Sequence, residues 1–475
     1  MDLLSKVTQR LEGAPTDDGI LVALSGGLDS TVLFDLVCRY ATRAACEVSA
    51  VHVDHRLRPS SSDDASFCRR LADRRGVPIA VHRIEVADRT SLQQDARVQR
   101  YAAIAGTALE WGCRLVLTAH HADDALETAL INLRRGSASR GLASLLTAGA
   151  PPIPAWPDVA LVRPLVDTGK ESLRAYAESR ELTWREDPTN DEIEYERNRL
   201  RQRVTPELTD GGRRLGPIVE TLENLADEAD ALDQLADELL ARARLDPPDG
   251  ETRVLRAEPL ADAPRAVAAR ALMTELARLP RGASAGRDHL HRAVDAIADG
   301  TRARLSVRGA RLTVERGFVV LESARARGGR HLDERRAAPI EIDARARDGN
   351  LPWFGTALMW RRLEPGFEGD DASPLTMRVT APADSRLLVR GPRDGDRLDA
   401  AGMQGRKAVG ALLAEAGVPR PLRWRWPCVV REDRPDEPIW LCGLRRSSEI
   451  SPGETTLELS WETGSRTPFG AILKW

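Results

Sequence analysis

Lysine is the first thing this chain of 475 residues lacks: Lys6, Lys170, Lys407 and Lys474 are the only lysines among 69 basic Lys and Arg residues. GC-rich coding accounts for the bias, and arginine supplies nearly all of the positive charge. Long apolar runs are missing too. None approaches the roughly 20 residues that cross a bilayer, so no membrane partner is expected. The opening "MDLLSKVTQRLEGAP" is a weakly amphipathic helix without a signal-peptide core, and the expected location is cytoplasmic. The six cysteines form no C-x-x-C pair. A zinc ribbon, an iron–sulfur site or a dithiol redox centre is therefore not encoded in the usual way, and the thiols read as small packing groups. An excess of positive charge is also absent. At a net charge of −3 the molecule has no overall cationic field for nucleic acid, so RNA binding must come from local arginine patches.

What is present is a chain too long for one core. From Ile20 to about Pro164 it alternates short aliphatic strands ("ILVALS", "VSAVHVDH", "IAVHRIEV", "RLVLTAH") with helical stretches of ten or more residues. That alternation predicts an α/β fold with a doubly wound parallel sheet, whose ligands sit beyond the carboxyl ends of the strands. From Leu215 to Leu239 apolar residues recur at 3–4 spacing, which predicts a long amphipathic helix. Residues 303–322 alternate around Gly309 and Gly317 as a small β-meander. The expected domains are a catalytic domain over 1–210, a mostly helical middle domain over 211–330, an irregular linker with isolated strands over 331–383 and a small α+β domain over 384–475.

The first strand runs into "SGGLDS", a glycine turn opening a helix. Gly26 and Gly27 let backbone N–H groups approach an anion, Ser25 and Ser30 add hydroxyls, and the helix N-terminus is positive. The Walker signature is missing, because no lysine follows the glycines. Asp29 is the odd member: a carboxylate beside phosphate makes sense when a cation lies between them, which points to Mg²⁺. Further on, in "TAHHADDALET", a helix beginning near His121 would put Asp124 and Glu127 on one face, with His120 one turn before Asp124. Such a pair can hold an ammonium group, hold a divalent metal together with His120, or be a solvated acidic helix start.

The "SGGLDS" loop (Ser25, Gly26, Gly27, Leu28, Asp29 and Ser30) resembles that of the PP-loop ATP pyrophosphatases, adenine nucleotide α-hydrolase-like proteins that split ATP between its α and β phosphates. The missing lysine then has a reason: the loop would grip departing pyrophosphate during adenylation. With "VHVDHRLRP", "DARVQRY", "TAHHADDALETALINLRRGSASRGL" and "EDPTNDEIEYERNRLRQRVTPEL" added, the chain resembles one branch, the tRNA(Ile)-lysidine synthetases. The resemblance implies ATP and Mg²⁺ as cofactors, and L-lysine and a tRNA(Ile) with a CAU anticodon as partners. It makes Asp124 and Glu127 the recognisers of lysine, and Asp29, Arg97 and His120 catalytic. Which end of lysine the acid pair holds, and which of Asp124, Glu127 or His120 takes the amine proton, stay open. Of the helical stripes around residue 200, Arg197 and Arg201 are assigned to tRNA and Arg199 and Arg203 form the second; one stripe could pair internally.

The C-terminal segments "GDR", "GRK", "VP" and "WLCG" resemble the tRNA-seating domain of the longer lysidine synthetases. Tryptophans beside arginines there suit either nucleotide stacking or an ordinary core. A homodimer is the assembly that the family suggests. The alternatives are a PP-loop tRNA thiolase, which needs cysteines near the loop, a glutamine-dependent synthetase, and a non-catalytic tRNA-binding protein that keeps a nucleotide loop.

Overall fold

The computed structural model describes residues 2–54, 61–84, 92–146, 159–186, 199–210, 214–280, 282–325, 339–343, 346–364, 373–381, 386–400, 403, 405–447 and 455–473, with backbone alone at 61–62, 92–97, 380–381 and 455. Two compact units divide the chain, Met1–Ala231 and Leu232–Trp475.

The first unit is built on five parallel strands: β1 (Ile20–Ala23), β2 (Val48–Asp54), β3 (Ile79–Arg83), β4 (Leu115–Leu117) and β5 (Ala160–Val162). Their order is β3-β2-β1-β4-β5, so the winding reverses between β1 and β4. Around them lie helices α1 (Leu3–Leu11), α2 (Leu28–Ala44), α3 (Ser61–Asp73), α4 (Leu92–Glu110), α5 (Ala122–Arg134), α6 (Ser139–Leu142) and α7 (Lys170–Ser179). Both faces of the sheet are covered, because strand side chains alternate. Ile20, Val22 and Leu115 join a core with α1, α2 and α7, whereas Leu21, Val51 and Val116 meet Ile104 and Ala108 of α4. The expected doubly wound parallel sheet is therefore what the chain forms.

The apolar spacing from Leu215 becomes one helix, Leu215–Ala243, which runs from the first unit into the second. In the second unit, helices Arg265–Ala277 and Arg287–Ala298 pack with that helix's last turns on a five-stranded sheet. Its meander is antiparallel, with Ala303–Val307, Ala310–Glu315 and Phe318–Ser323 joined by a turn at Gly309 and another at Arg316 and Gly317, all at positive φ. Segment 331–383, where isolated strands are expected, contributes strands Ile340–Ile342, Asp348–Trp353, Thr356–Arg362 and Thr376–Ala381. Two of these pair with Thr455–Glu462, near the other end of the sequence. A partner that remote leaves no local signal.

Trp426, Trp440 and Trp461 are fully buried in this unit's core, so they serve packing rather than nucleotide stacking. Arg425 lies 4.0 Å from the centroid of the Trp424 ring but is itself buried, bonded to Asp249 and Thr252. Among the described residues the deepest ion pair is Arg390 with Asp396, bidentate at 2.7 and 2.8 Å with both side chains at most 2% exposed. Removing one partner leaves a buried charge without compensation. Arg390→Met should lower stability by about 3–5 kcal/mol, read from urea unfolding by tryptophan fluorescence. A loss well below that would show that Asp396 finds another cation or water.

Candidate functional site: a glycine turn facing a carboxylate cluster

In a doubly wound sheet the crevice opens where strand order reverses, here between β1 and β4. Both site segments begin at that point. After β1 the chain turns at Gly26, whose φ of +89° suits glycine, and a Cβ there would meet Cys68 Sγ at 3.1 Å and Phe67 Cδ1 at 3.3 Å. Ser30 Oγ reaches back into the turn, accepting from Ser25 N at 3.2 Å and Gly26 N at 3.1 Å. It also lies 2.9 Å from Ser25 Oγ. Buried Ser30 thus shapes the loop from inside, while Ser25 stands exposed. The first helical hydrogen bond of α2 runs from Thr31 N to Gly27 O. The amides of Leu28, Asp29 and Ser30 precede it and form the anion-binding end of the helix. Leu28 contributes only its amide, since its side chain is core.

After β4, Thr118 to His121 lead into α5, and Ala122 N donates to Thr168 O to fix the helix start. His121 is the N-cap, and its own N–H donates to Asp124 Oδ2 at 3.1 Å. Its imidazole, 1% exposed, lies among three carboxylates: Nε2 is 3.6 Å from Asp29 Oδ2 and from Asp124 Oδ2, and Nδ1 is 3.2 Å from Asp123 Oδ2. Burial pulls the His121 pKa down, but the carboxylates outweigh it and the net shift is upward. Asp29 moves up as well, because its enclosure outweighs the pull of His121 and Lys170.

The second cation is Arg201, on a short π-helical turn, Leu200–Val204. Its Nε donates to Glu127 Oε1 at 2.7 Å and its Nη2 to Glu127 Oε2 at 3.1 Å and Asp124 Oδ1 at 3.4 Å. Arg201 was expected to face RNA phosphates. The structure instead turns it inward, because fully buried Glu127 requires a counter-ion, and it is Arg199 and Arg203 that stand exposed.

Asp29, remote in sequence from the neighbouring pair Asp124 and Glu127, is thus linked to them through His121 and Arg201. His120 lies beside this cluster, its Nδ1 3.0 Å from Thr118 Oγ1. Arg97 falls within α4, but its side chain lies outside the described residues, as does the whole of Arg197. Two residues escaped the sequence reading. Of the neighbouring histidines, His121 occupies the centre, and the signal was its place directly before the acidic first turn "ADD". Asp123 accepts from Lys170 N at 2.9 Å and ties α5 to α7.

Among the described residues no group of three or more His, Cys, Asp or Glu is arranged to hold a metal ion. That leaves His120, Asp124 and Glu127 without support as a metal triad, and Arg201 already supplies the cation there. Asp29 differs, since its Oδ1 is buried without a hydrogen-bond partner. A single enclosed carboxylate oxygen beside a phosphate loop suits Mg²⁺, which binds through one or two carboxylates plus substrate phosphates.

A parallel sheet with a lysine-free glycine turn at its switch point defines a PP-loop nucleotide-binding enzyme, and the PP-loop domain family matches residues 2–208. The TilS substrate C-terminal domain matches residues 387–461. A tRNA(Ile)-lysidine synthase of Symbiobacterium thermophilum is 31% identical over 481 residues, covering 96% of this chain and 95% of that protein. Another, of Pseudomonas aeruginosa, is 32% identical over 479 residues, covering 98% of each. The chain belongs to the tRNA(Ile)-lysidine synthase family.

Gly26→Ala places a Cβ at a positive φ against Cys68 and Phe67. It should lower stability by about 1–2 kcal/mol and cut pyrophosphate release about tenfold or more by displacing the loop amides. Thermal melts and a coupled pyrophosphate assay measure the two effects separately. Unchanged release would mean that the turn does not hold the leaving group.

Proposed function

We infer that this chain ligates L-lysine to the wobble cytidine of a tRNA(Ile) with a CAU anticodon, using ATP and releasing AMP and pyrophosphate. Full-length kinship to lysidine synthases supports the reaction. The observation that carries the site assignment is His121, whose Nε2 lies 3.6 Å from both Asp29 and Asp124 and so joins the glycine loop to the acid pair.

In this reading the cytosine carbonyl oxygen attacks the α-phosphate of ATP, and pyrophosphate departs toward the amides at the start of α2. The lysine ε-amine then attacks the activated ring carbon, AMP leaves with the former carbonyl oxygen, and the amine loses a proton. Asp29 would hold Mg²⁺ through its enclosed Oδ1; when bound, the ion neutralises phosphate charge. The loop amides stabilise the leaving group, and Asp124 and Glu127 bind the lysine. The resemblance assigns Arg97 and His120 catalytic roles, Arg97 near phosphate or the cytidine and His120 among the candidates to take the amine proton, and it assigns Arg197 to tRNA. We assign catalysis to 1–210 and tRNA seating to the middle and C-terminal domains. Cytoplasmic location and a homodimer are the family expectation.

Sulfur transfer is disfavoured by the thiols themselves. Burial pushes Cys38 up to about 11 and Cys68 up to about 12, so neither offers a thiolate at neutral pH. Incubation with ATP, labelled lysine and CAU-anticodon tRNA should carry label into RNA; sulfur transfer or mere binding without lysine incorporation would refute the ligase reading. Asp29→Ala should abolish pyrophosphate release with tRNA affinity nearly intact by filter binding. Glu127→Ala should damage lysine use more than adenylation, measured as lysine incorporation against pyrophosphate release, and equal damage to both would count against its place in the lysine site.

A further inference from the structure

A Walker loop ends its glycine run with a lysine that reaches the phosphates, and this glycine turn has none. Splitting ATP between its α and β phosphates leaves new negative charge on the departing pyrophosphate, whereas the amides at the start of α2 are neutral donors. A cation beside them would stabilise that charge as it develops. His121, Arg201 and Arg185 are each engaged with carboxylates. His121 is enclosed by three of them and Arg201 is bound to Glu127. Arg185 donates its backbone N–H to Gly26 O at 2.9 Å, but its Nε goes to Asp64 at 2.9 Å.

Half-buried Lys170 differs. It opens α7, where its backbone N–H donates to Asp123 Oδ2 at 2.9 Å. The same Asp123 oxygen meets His121 Nδ1 at 3.2 Å, and His121 Nε2 lies 3.6 Å from Asp29, so a short relay ties Lys170 to the start of α2. Its ammonium makes no hydrogen bond or ion pair with any described residue. By contrast Lys6 lies 3.9 Å from Asp167 and Lys407 is paired with Glu415, while Lys474 is outside the described residues. Burial raises the pKa of Asp29, and of the cations that oppose it His121 acts most and Lys170 next, ahead of Arg201. Coulomb attraction falls with distance, so the charge of Lys170 stands on the Asp29 side of the cleft. Local stability gives no reason for it, since a cation in the first turn of a helix opposes the helix dipole.

Resting on the ligase reading above, we propose that Lys170 supplies the cation that the glycine turn lacks, binding the β-phosphate side of ATP and staying with pyrophosphate as it leaves. In the adenylation step the cytosine carbonyl oxygen forms a bond to the α-phosphorus. The bond from that phosphorus to the bridging oxygen breaks, and its electron pair stays on the pyrophosphate oxygen. Lys170 stabilises that oxygen as an ammonium and gives up no proton. The amides of Leu28, Asp29 and Ser30 orient the leaving group, and Lys170 meets its charge. A compact ammonium suits the task, because lysine acts on phosphate as a point charge where arginine applies a planar fork.

Calorimetric titration of the full chain with inorganic pyrophosphate and with AMP, Mg²⁺ present in both, tests the contact apart from ligation. Lys170→Gln should weaken pyrophosphate binding about 10–100-fold, the range for a lost hydrogen bond to a charged group, and leave AMP within about threefold. In single turnover with saturating ATP and CAU-anticodon tRNA, pyrophosphate release should slow by about the same factor. Affinity for tRNA by filter binding and the lysine KM should stay within about threefold of wild type. Lys170→Arg, which keeps the charge, should recover part of both losses. Because the native cation opposes the helix dipole, Lys170→Gln should melt no lower than wild type. Unchanged pyrophosphate affinity in Lys170→Gln would overturn the assignment. A loss confined to tRNA or to lysine would overturn it too, by putting the ammonium on an RNA phosphate or on the lysine carboxylate. Parallel losses of pyrophosphate and AMP with a lowered melting temperature would make Lys170 a structural residue and equally overturn it. Wild-type protein that binds pyrophosphate through Lys170 yet incorporates no lysine would refute the ligase reading and leave the contact standing.

Discussion

Three carboxylates, those of Asp29, Asp124 and Glu127, are brought together in a partly enclosed cleft, and the site depends on the cations set among them. Charges taken from water need partners close by. His121 fits between Asp29 and Asp124, and Arg201 closes over Glu127. His121 was not among the residues first read as chemical, and Arg201 was read as a tRNA contact. Each is there because a buried acid demands it, and each then acquires a functional meaning from its place.

The sheet decides where this crowding happens. With order β3-β2-β1-β4-β5, the ends of β1 and β4 flank the reversal of winding. The first supplies the glycine turn and Asp29, and the second supplies His121 and the start of α5. One hydrogen bond from Ala122 N to Thr168 O and another from Lys170 N to Asp123 secure that helix start. The glycine-turn and acid-pair halves of the site are thus held by neighbouring strands of one layer.

Away from the cleft, arginine and tryptophan do structural work. Arg390 and Arg425 are buried and fully engaged, and the large indoles fill the C-terminal core. A residue type suited to RNA is therefore no guide by itself to an RNA surface. Arg199 and Arg203 are exposed while Arg201 turns inward, although the three alternate within five residues. Local periodicity offered two stripes and no way to choose, because the choice belongs to Glu127, 74 residues earlier in the chain.

Much of this protein was legible in its sequence: the alternating strands and helices, the lysine-free glycine turn, the long helix from Leu215, and the i, i+3 acid pair. All of these are short-range patterns, set by backbone geometry and side-chain spacing within a few residues. Tertiary structure alone decided which of His120 and His121 sits among the carboxylates and which arginine meets Glu127. It also set the pairing of strands Thr356–Arg362 and Thr376–Ala381 with Thr455–Glu462. Each of those outcomes depends on a partner far away in sequence, where burial and charge compensation act and local pattern does not reach.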